Sequence, residues 1–382
     1  MRLAVHTDFD YQRVGEEIRG VHAFTLFFVE LASRLDRVVL FGRPIPVRGR
    51  GRYALGPRIE FVPLPFYESL LDLRRFLPGV LGSLKRFWRV LDQVDAVWLL
   101  GPHPIQFGFA AMAAVRRRRV VLAVRQDFPA YVASRHPGRR SLRIAALAFE
   151  FAWRALARFC PTVVIGPDLA HRYRHARRLI EVNASLVSET EIVSANVALK
   201  RSYDGSSLTA LSVGRLETEK NPLILADLLE RLREGSRDWR LVVCGEGPFE
   251  QPLAERLAEL GLDGHAELRG YVPYGSELQS LYRSSHVFAH ASWTEGLPQV
   301  LLEAFAAGLP VVATDVGGVK QAVGDAAVLV PPGSAEALAA AIEEVAGDGD
   351  LRRRLITAGH SYIRPRTIDV ESRRVAEFIA AD

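Results

Sequence analysis

Two carboxylates stand eight residues apart in Glu295-Gly-Leu-Pro-Gln-Val-Leu-Leu-Glu303, and no other pair in the chain is better placed to do chemistry. Such a pair can trade protons as acid and base, or it can clamp the hydroxyls of a phosphorylated, polyhydroxylated ligand. Pro298 in a first turn and Gly308 past the far end bracket a helix from about Pro298 to Ala307. Glu295 then falls in the loop before that helix and Glu303 inside it, while the first-turn amides stay free to meet an anion. The plainer alternative makes Glu295 a helix-dipole partner and Glu303 a solvated helix residue. Against it stands the run Ala304-Phe305-Ala306-Ala307, which makes the helix apolar, so that a Glu among these residues is buried for a reason.

Cations come earlier in the same half, in Val213-Gly-Arg-Leu-Glu-Thr-Glu-Lys220-Asn-Pro222. Gly214 permits close backbone approach, and Arg215 and Lys220 put two positive charges near a helix start, where they would neutralise a leaving diphosphate. Two basic residues in a polar loop are more often merely solvated, so the weight rests on what surrounds them. Cys244-Gly245-Glu-Gly-Pro, Gly270-Tyr-Val272-Pro, Ser292-Trp-Thr-Glu295 and Asp315-Val-Gly-Gly each follow an apolar run. Any one of these could be an ordinary tight turn. Their succession at five consecutive strand ends is far more specific.

The elements that must position these residues are legible as apolar, β-rich runs alternating with helical patterns. In the first half the runs are 2–6, 38–41, 59–64, 96–100, 120–124, 162–165 and, weakly, 180–182; in the second they are 208–213, 241–244, 266–269, 287–290, 311–314 and 327–330. Strand–helix alternation in both halves predicts two doubly wound parallel sheets, which bind ligands outside the carboxyl ends of their strands. A chain of 382 residues exceeds the size at which one core stops growing. We expect a first Rossmann-like domain over 1–188, a linker over 189–207, a second domain over 208–362, and a terminal helix over 363–382 that packs back across the boundary.

Composition bounds the class. Cys160 and Cys244 are the only cysteines, in no ligand spacing, which argues against a disulfide framework or zinc site and fits a reducing compartment. The N-terminal segment reads as a strand rather than a signal peptide, and no apolar run is long enough to span a membrane. Residues 1–190 carry 30 Lys and Arg against 16 Asp and Glu, net +14, whereas 191–382 carry 19 against 28, net −9. A basic first half can face an anionic phospholipid surface, an acidic glycan or nucleic acid; it can also reflect an arginine-rich genome.

The segments VGRLETEKNP, GEGP, GYVP, EGLPQVLLEAFAAGLPVVATDVGG and VLVPPG make residues 208–333 resemble the donor-binding domain of the family-4 retaining glycosyltransferases. That resemblance implies the GT-B fold, two Rossmann-like domains facing each other across a cleft. It implies a hexosyltransferase-type activity that moves a sugar from a nucleotide-diphosphate sugar to a glycan, lipid-linked or small-molecule acceptor, with no metal or other cofactor and no nucleic-acid partner. By position, Arg215 and Lys220 would hold the diphosphate and Glu303 the ribose hydroxyls. Glu295 would contact the sugar, the amides around Gly296 and Leu297 would support phosphate and sugar, and Val272 would border the base. Gly214 and Gly245 would belong to the same donor site. A nucleotide-sugar epimerase and an inactive nucleotide-sugar-binding protein share the architecture.

The first half is less close to the family. Arg19-Gly20-Val21-His22 takes the place of its glycine loop, and His103 stands near the position of a family His; a second family His is replaced by Arg125-Gln-Asp127. His103 would supply a shifted imidazole, and Arg125 or Asp127 would orient the acceptor. Two basic amphipathic segments, 84–91 and 139–158, are candidates for contact with an anionic membrane or, alternatively, for ordinary core helices. The expected location is cytoplasmic, with or without peripheral membrane contact.

Overall fold

The structure is a computed structural model that describes all residues except 46–50, 66–72, 136–137, 184, 206, 296–297 and 382. The chain divides into two units, one of Met1–Ala184 with Ile368–Asp382 and one of Ser185–Thr367.

Among the described residues of the first unit nine strands form one sheet: β1 (Arg2–Val14), β2 (Glu17–Gly20), β3 (Arg37–Pro44), β4 (Tyr53–Ala54), β5 (Ile59–Pro63), β6 (Ala96–Gly101), β7 (Arg119–Val124), β8 (Pro161–Ile165) and β9 (Arg178–Val182). The parallel part runs β5-β3-β1-β6-β7-β8-β9, with β2 and β4 added antiparallel at one end. Alternate residues of the central strands feed two cores. Leu3, Val5, Trp98 and Leu100 lie on one side, and Ala4, Val97, Leu99 and Leu122 on the other. Burial of both faces is why these strands read as unbroken apolar runs. The terminal helix Ile368–Ala380 belongs to this unit, where Val375 and Ile379 are fully buried and Arg34 Nε donates to Ser372 Oγ at 2.8 Å.

The second unit holds a six-stranded parallel sheet in the order β12-β11-β10-β13-β14-β15. Its strands are β10 (Ser207–Val213), β11 (Asp238–Cys244), β12 (Ala266–Leu268), β13 (Val287–His290), β14 (Val311–Thr314) and β15 (Ala327–Val330). Leu208, Leu241, Val287 and Val312 face one core while Leu211, Phe288, Val311 and Ala313 face the other. Two doubly wound α/β sheets are therefore present, as the alternation of elements predicts.

The stretch 189–207, read from the sequence as a linker, falls within the second unit, and its described residues pack there together with residues 185–188. Val187 is buried there, Val193 N donates to Ala306 O at 2.8 Å, and Arg201 Nη1 donates to Gly308 O at 2.8 Å. The helix Gln299–Ala306 ends at these carbonyls, and the segment supplies the donors that a helix C-terminus lacks. Of the two basic segments, 84–91 lies in the core through Phe87 and Leu91, whereas the helix Arg140–Ala157 buries only Ala146, Glu150, Trp153 and Ala157.

Candidate functional site

In the second sheet the chain leaves β10 toward β11 on one side and reaches β13 on the other, so the carboxyl ends of β10 and β13 form a topological switch point. A cavity of about 180 Å³ opens there, lined by Ser212, Gly214, Arg215, Lys220, His290 and Gln299 among others. Gly245 lets the neighbouring strand ends close up. A Cβ on it would sit 1.8 Å from Gly214 O, and its own N–H donates to Gly270 O at 2.7 Å.

Glu295 is held at this cavity by an assembly of three partners. Lys220 Nζ is ion-paired with Glu295 Oε1, His290 Nε2 lies 3.0 Å from the same oxygen, and Ser292 Oγ donates to it at 2.7 Å. Burial alone would push this carboxyl up. The His290 hydrogen bond and the Lys220 charge outweigh it and hold Glu295 at about 2, ionised at every physiological pH. Backbone contacts fix the loop: Trp293 N donates to Glu219 O at 2.8 Å and Gly318 N to Glu295 O at 3.3 Å. Gly317 has φ +51°, and a Cβ there would come within 2.0 Å of Glu295 O. Arg215 remains half exposed, with Glu217 and Glu219 as its ion-pair partners, the latter at 2.9 Å.

Glu303 sits in different surroundings. Tyr282, fully buried, donates its phenol to Glu303 Oε2 at 2.9 Å. Glu303 and Tyr282 line a small void of about 20 Å³ with Glu191 and Tyr274, whose phenol donates to Glu191 Oε2 at 2.6 Å. Burial raises the Glu303 carboxyl to about 7, against the Tyr282 hydrogen bond and with help from the Glu191 charge. The two carboxylates thus differ widely in acidity, a pattern that acid–base pairs show. Geometry argues otherwise here, because Glu295 and Glu303 share no hydrogen-bond partner among the described residues, and the partners of Glu295 line the switch-point cavity while Glu303 lines the separate small void. Val272, 9% exposed, packs in the same core as Tyr282. Gly296 and Leu297 lie outside the described residues.

The first unit carries its own polar cluster at the carboxyl ends of β1 and β6, again a switch point. His6 is buried, with Gln106 Nε2 2.8 Å from its Nδ1, and the His103 ring lies 5.9 Å from the His6 ring. Burial lowers both imidazoles, His103 to about 4, so both are neutral at pH 7. Asp8 accepts from Arg125 Nη2 at 2.5 Å, Arg125 lies 4.3 Å over the Phe9 ring, and Phe9 stacks on His22 at 4.6 Å. Asp127 is tied instead to Arg172 at 2.6 Å. Arg125 and Asp127 therefore belong to separate ion pairs. Gly20 departs from expectation as well: it is not in a loop but ends strand β2, where a Cβ would meet Thr25 Oγ1 at 1.9 Å. The reason is that β1 runs on to Val14 and turns back through Gly15, φ +61°, into a hairpin. Sequence reasoning missed His6, Asp8, His22, His290 and Tyr282 as site residues. The one available signal was His6-Thr-Asp8 at the close of the first apolar run.

Residues 200–362 match the family model for glycosyl transferases group 1. The chain is 26% identical over 310 residues to sulfoquinovosyl transferase SQD2 of Arabidopsis thaliana, covering 78% of this chain and 58% of that protein. It spans 31% and 41% of the length of two further curated relatives. Among solved structures, a glycosyltransferase from Rickettsia africae superposes with a TM-score of 0.69 at 15% identity, over 99% of this chain and 97% of that one. HepE of Anabaena, solved in complex with UDP, does so with a TM-score of 0.68 at 17% identity over 99% of each chain. Likeness at such identity speaks for the fold, which is GT-B along the whole chain. The family likeness rests on residues 200–362, less than half of the chain, which resemble the glycosyl transferases group 1.

Proposed function

We propose that this protein is a retaining, metal-independent glycosyltransferase that takes a sugar from a nucleotide-diphosphate donor. The observation that carries the reading is the switch-point cavity, where Arg215 and Lys220 stand beside a carboxylate, Glu295, that the His290 hydrogen bond and the Lys220 charge keep ionised. Departure of a diphosphate leaves negative charge on the leaving oxygen and an oxocarbenium-like sugar, so fixed cations at that point lower the barrier. Arg215 and Lys220 serve the diphosphate, Glu295 the transferred sugar and Glu303 the ribose, with Gly214, Gly245 and Val272 shaping the donor site; His103 is the acceptor-side candidate. HepE was solved with UDP and with UDP-glucose, which makes uridine nucleotides the first donors to test.

The acceptor is a glycan or a lipid-linked sugar. No helix of the described residues is long and apolar enough to cross a membrane. Peripheral contact has support in the helix Arg140–Ala157, whose outer face shows Ile144, Leu147 and Phe151 at 67%, 52% and 73% exposure, followed by Phe159 at 75%. Arg140, Arg143, Arg154 and Arg158, all exposed, lie in or directly after the same helix. Apolar groups flanked by cations match an anionic lipid surface.

Product analysis with a panel of nucleotide-sugars tests the central reading. Transfer yields a glycosylated acceptor and free nucleoside diphosphate, and Lys220→Ala or Glu303→Ala abolishes both. An altered sugar still on its nucleotide would instead mean epimerisation. Binding without any product would mean a nucleotide-sugar-binding protein.

A further inference from the structure

The cavity at the second switch point contains two buried polar atoms that the donor-site roles above leave unused. His290, 5% exposed, closes β13, and its Nδ1 has no hydrogen-bond partner among the described residues; Gln299 Oε1, at the start of the next helix, likewise has none. Both residues line the cavity with Arg215 and Lys220. A buried polar atom without a partner costs free energy, so a pair of them in one cavity marks a place where something else completes the bonding.

The tautomer of His290 follows from its neighbours. Its Nε2 faces Glu295 Oε1 at 3.0 Å and Ser292 Oγ at 3.3 Å. Glu295 is ionised, and the single Ser292 hydroxyl proton is already given to it. Both atoms can therefore only accept from His290, and Nε2 must carry the proton. In the neutral ring Nδ1 is then an acceptor. Gln299 Oε1 is an acceptor too. Cations along part of the lining and two vacant acceptors along the rest call for a ligand that bears phosphate and hydroxyl groups together.

We propose that His290 is a specificity residue for the transferred sugar: its Nε2–H positions Glu295, and its Nδ1, together with Gln299 Oε1, accepts hydrogen bonds from the sugar's hydroxyls. The proposal rests on the donor reading above and adds which groups distinguish a nucleotide-sugar from the bare nucleotide. His290 thereby links the cavity to the carboxylate clamp, because one ring serves both.

Amide isosteres separate the two ends of the ring. His290→Gln keeps a donor near the Nε2 position and deletes Nδ1, whereas His290→Asn keeps an acceptor near Nδ1 and deletes the contact with Glu295. Titration calorimetry on the full chain uses the nucleotide-sugar of the panel that binds best and its matching nucleoside diphosphate. His290→Gln weakens the nucleotide-sugar about tenfold and the free nucleotide less than about twofold. His290→Asn instead moves the acid limb of donor binding to higher pH, because Glu295 loses a group that keeps it ionised; a merely structural role would not move that limb. Gln299→Leu gives the same selective loss as His290→Gln and stands in if either His290 variant fails to fold. Equal loss of both ligands in His290→Gln and Gln299→Leu, or unchanged affinity for both, overturns the proposal while leaving the donor reading intact. If the unaltered protein binds no nucleotide-sugar of the panel, both readings fall.

Discussion

Replacing Glu303 by Gln separates the stability of this protein from its function. Burial lifts the Glu303 carboxyl from the ordinary 4.5 to about 7. An acid whose folded pKa exceeds its unfolded one binds more protons in the native state, so stability is lost as pH rises from about 4.5 through about 7. The full difference corresponds to about 3 kcal/mol. The side chain is only partly covered, and solvent screening reduces that to roughly 1–2 kcal/mol. Gln has the same shape, offers Tyr282 an acceptor oxygen and never ionises. The unliganded variant therefore melts about 2–8 °C higher than the parent at pH 8, taking about 2–4 °C per kcal/mol for a unit of this size. At pH 5, where the folded Glu303 is still protonated, most of the gain is gone. The same variant loses nucleotide-sugar binding by about tenfold or more, since one acceptor for the ribose hydroxyls becomes a donor. Differential scanning calorimetry at the two pH values, followed by donor titration, checks both halves. A lower melting temperature at pH 8, or an equal shift at both pH values, would refute the assignment of Glu303 as a carboxylate that costs stability and serves a ligand.

Gly317→Ala combines a φ of +51° with a clash against Glu295 O and should destabilise the second unit by about 1–3 kcal/mol while weakening donor binding; the urea midpoint and a donor titration read the two effects. On the first unit, the full chain should cosediment with vesicles rich in anionic lipid at low salt and not with neutral ones. Paired Ile144→Ser and Phe151→Ser substitutions should cut that binding at least about tenfold, and retention at the parent level would remove the membrane reading.

Legibility in the sequence followed burial. Strands buried on both faces, such as β6 and β14, stand out as apolar runs, and the small residues after β10, β11 and β14 marked their carboxyl ends. The hairpin of β1 and β2 did not stand out, because Asp8, Asp10 and Gln12 interrupt the apolar pattern where the strand leaves the parallel core. His290 was seen only as the last residue of a strand. Its partners Ser292 and Glu295 follow within five residues, but the cavity it lines is completed by residues after β10, and a one-dimensional pattern does not say that β13 lies next to β10. The pairing of Arg215 with Glu217 and Glu219 was open in the sequence, since all three lie within one short loop. Side-chain direction decided it. The helix Arg140–Ala157 shows the same limit: its amphipathic spacing suits a core helix or a surface one, and only packing reveals that Ala146 and Trp153 face inward while Phe151 faces out.

The most direct test of the account is calorimetric titration of the intact chain with the nucleotide-sugar panel at pH 8 in the presence of a chelator, beside the Lys220→Ala variant. The account predicts that at least one nucleotide-sugar binds without added metal and that Lys220→Ala lowers its affinity at least about tenfold, because the diphosphate loses a cation and Glu295 loses its charged partner. Undiminished binding by Lys220→Ala, or no binding by the unaltered protein to any donor in the panel, would contradict it.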